Sequence, residues 1–266
     1  MDASQIATQF PSFALIAAGA FLAGGMNAIA GGGTFFSFPA LLAAGVPPVT
    51  ANASNTVALW PASLSSAWAY RREVMKHRKW ALILIGVSFV GGICGGLLLL
   101  ATSNAAFSKL IPWLLLVATA LFAFSGQVQR IVGWIKGKFG ATQSSEPGSI
   151  GGAAFQLVVA IYGGFFGAGL GILTLAALAI QGFKDMQELN ALKNVASAVN
   201  YTVAAATFII AGAVSWPHTL TMLVTAMLGG YAGAAFARRL PAVWLRRLVV
   251  TVGSALTLIY FYKTYL

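Results

Sequence analysis

Long apolar runs separated by short basic segments dominate the chain. A helix needs about 20 apolar residues to cross the hydrocarbon core of a bilayer. The runs of that length are residues 50–70, 81–101, 111–129, 190–211, 219–237 and 248–266. Two longer stretches, 12–48 and 150–182, each hold two apolar pieces separated by glycines, which is typical of a broken helical hairpin. The pattern predicts an all-α polytopic membrane protein.

Composition agrees with that class, because 59% of the 266 residues are hydrophobic and only 8% are charged. A soluble domain carries about 25% charged residues. The single cysteine, Cys94, lies in an apolar run, where we expect it to pack, and it cannot form a disulfide within one chain. The first residues lack a basic segment, so we expect the first apolar run to be retained rather than cleaved.

The basic residues predict the orientation of the spans. Segments 71–79, 130–138 and 238–247 hold five, three and four Lys or Arg residues, and we expect them to be cytoplasmic loops. The connections at 45–50 and 211–218 have none, and 102–110 has only Lys109, which suits the outer side. This assignment accounts for the net charge of +11 without a nucleic-acid partner.

The two halves of the chain resemble each other at an offset of about 139 residues. "NASNTVA" (52–58) aligns with "NALKNVAS" (190–197), and "VGGICGG" (90–96) aligns with "LGGYAGA" (228–234). We therefore divide the chain into a first repeat (1–138), a cytoplasmic linker (139–149) and a second repeat (150–266). The charges start the repeats on opposite sides, which predicts two inverted repeats, each with a Gly-broken hairpin and three transmembrane helices. A parallel repeat is the alternative, and it would leave one strongly basic loop outside.

The glycines of the two hairpins predict breaks at membrane depth. Unpaired backbone groups cost several kcal/mol each in hydrocarbon, so a break must be buried in protein or line a cavity. Gly31–Gly33 precede a helix expected from Thr34, and Gly167, Gly169 and Gly171 precede one expected near Ile172. Helix N-termini attract anions. The alternative role of these glycines is close packing of helices, which we expect for Gly91, Gly92, Gly95 and Gly96.

Polar residues concentrate in the second segment of each repeat. They are Asn52, Ser54, Asn55, Thr56 and Trp60 in the first half, and Asn190, Lys193, Asn194, Ser197, Asn200 and Tyr201 in the second. Amide groups and an ammonium can bind an oxyanion. The alternatives are interhelical hydrogen bonding for the asparagines and extension toward the inner interface for Lys193.

Acidic and histidine side chains are absent from the predicted mid-membrane regions. The acidic and histidine residues all lie in predicted loops or at helix ends; they are Asp2, Glu73, Glu146, Asp185, Glu188, His77 and His218. This distribution disfavours a carboxylate proton relay and a cation site. It offers no constellation for an enzyme, a metal site or a cofactor.

Two segments are similar to those of a known family. "AGGGTFFSFPALLAAGVPPVTANASNTVALWPASLSSAWAYRREV" (30–74) resembles the N-terminal signature of the TauE/SafE sulfite-exporter family. "LNALKNVASAVNYTVAAATFIIAGAVSW" (189–216) resembles its second-half signature. In many members the second break has more glycines than "GAGLG" has here. The resemblance implies a bacterial inner-membrane permease that exports, or sometimes takes up, sulfite or organosulfonates such as sulfoacetate.

The leading hypothesis is a secondary transporter, most simply an exporter, of a small sulfur-containing anion. Its expected partners are that anion and the lipid bilayer. The alternatives are an uncoupled anion channel or a carboxylate exporter, followed by a membrane enzyme or a scaffold without transport activity. The expected substrate-binding residues are Gly32, Gly33, Thr34, Asn52, Asn55, Gly169, Gly171, Lys193 and Asn194.

Overall fold

A computed structural model describes residues 3–29, 32–138, 150–181, 183, 185–237 and 242–266. Within these ranges the chain forms eleven α-helices and no β-strand. They are α1 (Ala3–Ile29), α2 (Thr34–Ala43), α3 (Pro48–Ala69), α4 (Arg71–Lys76), α5 (Arg78–Ala101), α6 (Asn104–Lys138), α7 (Ile150–Phe165), α8 (Leu170–Ile180), α9 (Met186–Ile210), α10 (Trp216–Ala237) and α11 (Ala242–Tyr265). The predicted all-α polytopic class is confirmed.

Both predicted hairpins are broken. α1 ends at Ile29 and α2 begins at Thr34, as expected, and α8 begins at Leu170, two residues before Ile172. Gly171 therefore lies inside the first turn of α8, and Gly31 lies outside the described residues. α2 has 10 residues and α8 has 11, which corresponds to lengths of about 15–17 Å at 1.5 Å per residue. Neither helix can cross a core about 30 Å thick.

All three predicted basic loops contain helical residues, since α11 also begins at Ala242, inside the segment 238–247. α6 continues through 130–138, so that segment is the end of a 35-residue helix and not a loop. In the segment 71–79, residues 71–76 form α4 and residues 78 and 79 begin α5. Positive charge predicts which side of the membrane a segment occupies, but Lys and Arg are good helix formers and do not end a helix. A helix of that length exceeds the hydrocarbon thickness and can extend into water.

Packing between the halves occurs in exchanged pairs. α1 packs along α10, and the equivalent helices α7 and α5 pack along each other. α3 contacts α10 as α9 contacts α5, and α2 contacts α11 as α8 contacts α6. The remaining contacts between halves include α3 with α9 and α6 with α11, which are equivalent helices. A two-fold repeat predicts this exchange; the inverted orientation of the halves stays a prediction.

Glycines make the exchanged crossings close. A Cβ at Gly91 would lie 2.4 Å from the Ala160 Cβ, and one at Gly229 would lie 1.9 Å from the Phe21 carbonyl oxygen. A Cβ at Gly95 would lie 2.1 Å from a carbonyl oxygen of α7. Because real Cβ atoms do not approach so closely, the backbones can pack this way only with glycine. The packing role expected of Gly91 and Gly95 is confirmed.

Hydropathy separates lipid-facing helices from central ones. Among the described residues, three helical segments are long and apolar enough to span a membrane: Arg78–Ala101, Asn104–Phe124 and Arg247–Tyr265. Thr34–Ala43, Gly152–Phe165 and Leu170–Ala179 are shorter apolar helices. α3 and α9 have sufficient length, but their polar residues lower their hydropathy. These two helices pack against each other at the centre of the protein, where polar groups find partners.

Candidate functional site

The polar stretch of α3 lies in the interior. Every residue from 51 to 59 is buried, and Asn52 and Asn55 are 0% and 2% exposed. α3 contacts α2, α6, α9 and α10, so partners surround it on several sides. The asparagines predicted to bind the anion are therefore inside the protein and shielded from lipid.

At the first break the backbone turns sharply before α2. Gly32 has φ of +86°, a conformation that favours glycine. The Gly33 N–H donates to Asn27 Oδ1 at 2.9 Å, so a side chain of α1 caps the start of α2. The amides of Phe35 and Phe36 donate to the Gly32 and Gly33 carbonyls. This bond from Asn27 was not predicted, because Asn27 belongs to α1 and the N-cap position of α2 is Gly33, which has no side chain.

Four polar side chains meet at the start of α2. Asn55 accepts a hydrogen bond from the Ser37 hydroxyl, and its Nδ2 donates to Thr34 Oγ1 at 3.4 Å. The Tyr201 hydroxyl of α9 interacts with Thr34. Thr34 and Asn55, both predicted, are thus brought together. Ser37 was not predicted, and Tyr201 was noted only among the polar residues of α9.

Asn52 connects α3 to the second break. Its Nδ2 donates to the Phe165 carbonyl at 2.9 Å, one residue before the chain leaves α7. This bond determines the orientation of the amide, and the Asn52 Oδ1 is buried with no hydrogen-bond donor among the described residues. We call Thr34, Ser37, Asn52, Asn55 and Tyr201 the central polar cluster.

The second break has left-handed glycines on either side of Ala168. Gly167 and Gly169 have φ of +79° and +78°. The Tyr162 hydroxyl donates to the Ala168 carbonyl at 2.8 Å, which ties this turn to α7. A Cβ at Gly167 would lie 3.3 Å from the Tyr201 hydroxyl oxygen, so Tyr201 approaches both breaks.

The two breaks lie against the same turn of α6. A Cβ at Gly32 would be 2.6 Å from the Phe122 ring, and one at Gly169 would be 3.8 Å from the Ala118 Cα. In addition, Phe38 of α2 packs edge to face on Phe166 at the second break, with centroids 5.5 Å apart. The starts of α2 and α8 are therefore close to each other.

The two helix starts differ in chemistry. The first and fourth residues of α2 are Thr34 and Ser37, whereas those of α8 are Leu170 and Leu173. No side chain caps α8 by a hydrogen bond. The polar groups at the convergence thus come from α2, α3 and α9, and the site is less symmetric than the repeat.

Lys193 lies on α9 and its side chain reaches α8. The side chain is half-buried, and its Nζ donates to Asn190 Oδ1 at 3.3 Å. A Cβ at Gly171 would be 3.5 Å from Lys193 Cδ, so these two predicted residues are neighbours. Asn194 is half-buried on the same helix, and in the described part of the chain its side chain makes no hydrogen bond. Neither Lys193 nor Asn194 contacts the central polar cluster by a hydrogen bond seen among the described side chains.

Other polar residues of α3 and α9 hold helices together. The Asn200 Nδ2 donates to the Ala160 carbonyl at 2.7 Å, and the Trp60 indole donates to Thr202 Oγ1 at 2.8 Å. The Ser54 hydroxyl accepts the Ser215 N–H at 2.9 Å. For Asn200 the interhelical role, which was the alternative interpretation of the asparagines, is the one observed; Trp60 also joins two helices, and Ser54 binds the connection before α10.

Charge in the described region is almost all positive. Its carboxylates, Glu73, Asp185 and Glu188, lie at or near helix starts, and Glu188 pairs with His77 at 2.9 Å. The described part of the chain contains no group of three His, Cys, Asp or Glu side chains that could hold a metal ion. The cluster can donate hydrogen bonds to a guest but offers it no negative charge.

Comparisons with known proteins give a consistent result. A family model described as sulfite exporter TauE/SafE matches residues 16–260. The chain is 29% identical over 241 residues to a probable membrane transporter protein of Haemophilus influenzae, covering 89% of each chain. It is 26% identical over 243 residues to the probable membrane transporter protein YfcA of Escherichia coli K12, covering 90% of this chain and 85% of that one. No solved structure matches the chain.

Proposed function

Because the chain belongs to the sulfite exporter TauE/SafE family, we propose that it exports a small sulfur-containing anion, such as sulfite or an organosulfonate. The family and its curated relatives make it a multi-pass membrane transporter. The substrate, the direction and the bacterial inner membrane as its location are parts of the proposal. The absence of catalytic activity is also part of the proposal.

The convergence of two broken hairpins on the central polar cluster is the observation behind this proposal. A guest there would face the start of α2, the Asn55 amide and the hydroxyls of Thr34 and Tyr201. The Asn55 amide and the two hydroxyls can donate hydrogen bonds to sulfonate or sulfite oxygens, and the start of α2 contributes the positive end of its helix dipole. The Asn55–Thr34 bond is long at 3.4 Å, so an anion would replace a weak interaction. Lys193 and Asn194 would act on the cytoplasmic approach to the cluster.

Asn52 suits an anion that also carries a proton. Since its Nδ2 is held by the Phe165 carbonyl, its unpaired Oδ1 can only accept a hydrogen bond. The hydroxyl of hydrogen sulfite is such a donor. A proton carried on the substrate would also need no buried carboxylate relay, and none lies in the described spans.

Release of the anion requires movement, because the cluster is closed in this conformation. Asn52, Asn55 and Thr34 are each at most 5% exposed. Rocking of one repeat against the other would open the cluster to alternate sides. The potential across a membrane, negative inside, favours anion exit by about 2.3 kcal/mol per charge at 100 mV, which is roughly a 50-fold concentration ratio.

Efflux from proteoliposomes tests the proposal. Vesicles loaded with sulfite, sulfoacetate, taurine or succinate would be compared with protein-free vesicles at an imposed potential. We expect efflux of sulfite or sulfoacetate that exceeds efflux of succinate and that saturates with concentration. Saturating efflux of succinate alone would favour a carboxylate exporter, and non-saturating efflux of all four would favour a channel. No efflux of any of them, from correctly folded protein, would refute anion export.

A further inference from the structure

A long apolar groove runs between α1, α2, α6 and α11, away from the central polar cluster. Its volume is about 950 Å³. Its walls include Leu15, Leu22, Phe36, Pro39 and Ile259, and none of the residues that line it is acidic. Leu22 and Ile259 are 52% and 57% exposed, so the groove opens on the lipid-facing surface.

One end of the groove is polar and positively charged. Lys109 and Lys263 line it there, together with Ser108 and Thr264. Both lysines are exposed, and neither forms an ion pair with a described side chain. The two ammonium groups therefore lie at the end of the apolar groove without a counter-charge from a described side chain.

Aromatic side chains indicate the depth of this end in the membrane. The Tyr265 hydroxyl donates to the Lys109 carbonyl at 2.9 Å, and the Trp113 indole donates to the Tyr265 hydroxyl oxygen at 3.2 Å. Trp113 and Tyr265 are both 52% exposed. Trp and Tyr are enriched at the level of the lipid headgroups. The lysines thus lie at headgroup level, and the apolar walls extend from there toward the hydrocarbon.

We propose that this groove binds an anionic phospholipid, with the phosphate against Lys109 and Lys263 and an acyl chain along α2. A free phosphate would leave the apolar walls uncovered. A zwitterionic lipid would bring its own cation to the two lysines. A lipid with a net negative headgroup matches both parts of the groove, because its headgroup complements the two lysines and its acyl chain complements the apolar walls. The occupant is independent of the transported anion.

Native mass spectrometry of the detergent-purified protein tests this proposal. The protein would be titrated with phosphatidylglycerol and, separately, with phosphatidylcholine of the same acyl chains. We expect phosphatidylglycerol to be retained more strongly. Lys109→Gln with Lys263→Gln should lower that preference about 30-fold, because each lysine near a membrane surface contributes about a fivefold factor in affinity. The matched control, Lys76→Gln with Lys79→Gln, removes the same charge elsewhere and should leave the preference unchanged.

A second variant tests the apolar part. Ala18 is exposed and lines the groove, so Ala18→Trp should fill it without disturbing the core. We expect this variant to lose both lipids while its thermal unfolding stays unchanged. The proposal would be overturned by equal retention of the two lipids or by an equal effect of the control pair. Full retention in Ala18→Trp, or displacement of the lipid by excess inorganic phosphate, would also overturn it.

Discussion

Replacing Asn55 by leucine removes a buried hydrogen-bond donor from the proposed anion site. Leucine has a similar size and loses the amide, so the change removes the bonds to Ser37 and Thr34. Both hydroxyls retain a partner, since Ser37 Oγ lies 3.3 Å from the Gly33 carbonyl and Thr34 interacts with Tyr201. The free energy of unfolding should therefore fall by only about 1 kcal/mol, given about 0.6 kcal/mol for each interhelical bond in a membrane.

Anion affinity should fall far more. A hydrogen bond to a charged group contributes about 1.5–3 kcal/mol. Loss of the Asn55 donor should then raise Kd for sulfite or sulfoacetate about 10- to 150-fold, with a matching loss of efflux at low concentration. Titration calorimetry measures Kd, and proteoliposome efflux measures transport.

Asn200→Leu is the matched control, because Asn200 is also buried and its Nδ2 donates to the Ala160 carbonyl at 2.7 Å. This substitution should lower the unfolding temperature by a similar amount and leave Kd unchanged. The reasoning fails if Asn55→Leu binds the anion as the unmodified protein does. It also fails if Asn200→Leu weakens binding equally, since the effect would then come from packing.

Three further substitutions test neighbouring features. Lys193→Gln should weaken anion binding measured by calorimetry, whereas Lys79→Gln in α5 should not, and equal effects would argue for a purely interfacial Lys193. Gly32→Ala should lower the unfolding temperature much more than Gly45→Ala, although both glycines have positive φ. A Cβ at Gly32 would lie 2.6 Å from the Phe122 ring, whereas a Cβ at Gly45 would meet open space. Similar losses would mean that backbone strain dominates. Trp60→Phe should cost about 1 kcal/mol in unfolding free energy, because it loses a 2.8 Å bond to α9, and an unchanged denaturation midpoint would contradict this.

Several features of the fold follow from local sequence alone. Apolar runs of sufficient length predicted six long helices, α3, α5, α6, α9, α10 and α11, and the glycine clusters predicted both hairpin breaks. These predictions succeed because the bilayer imposes one rule on every segment: backbone groups must be paired within a helix unless protein surrounds them. The same rule explains why α2 begins at the expected Thr34.

Local sequence was less informative about where helices end. The basic segment 130–138 looked like a loop, yet α6 continues through it, because charge reports the aqueous side and not the backbone conformation. Gly171 looked like part of the second break. The turn uses Gly167 and Gly169, and only φ values distinguish a left-handed glycine from a helical one.

The sequence by itself determined the class of protein, the helical spans, the two breaks and the family, since each depends on composition or on neighbours along the chain. The tertiary structure decided which polar residues meet. Ser37 and Asn55 are 18 positions apart, and Asn52 and the Phe165 carbonyl are 113 apart. It also separated Asn200, which bonds to the backbone of α7, from Asn55, whose side chain faces the start of α2. The physical reason is that an amide's role depends on the groups it faces across helix boundaries, and only packing brings those groups together.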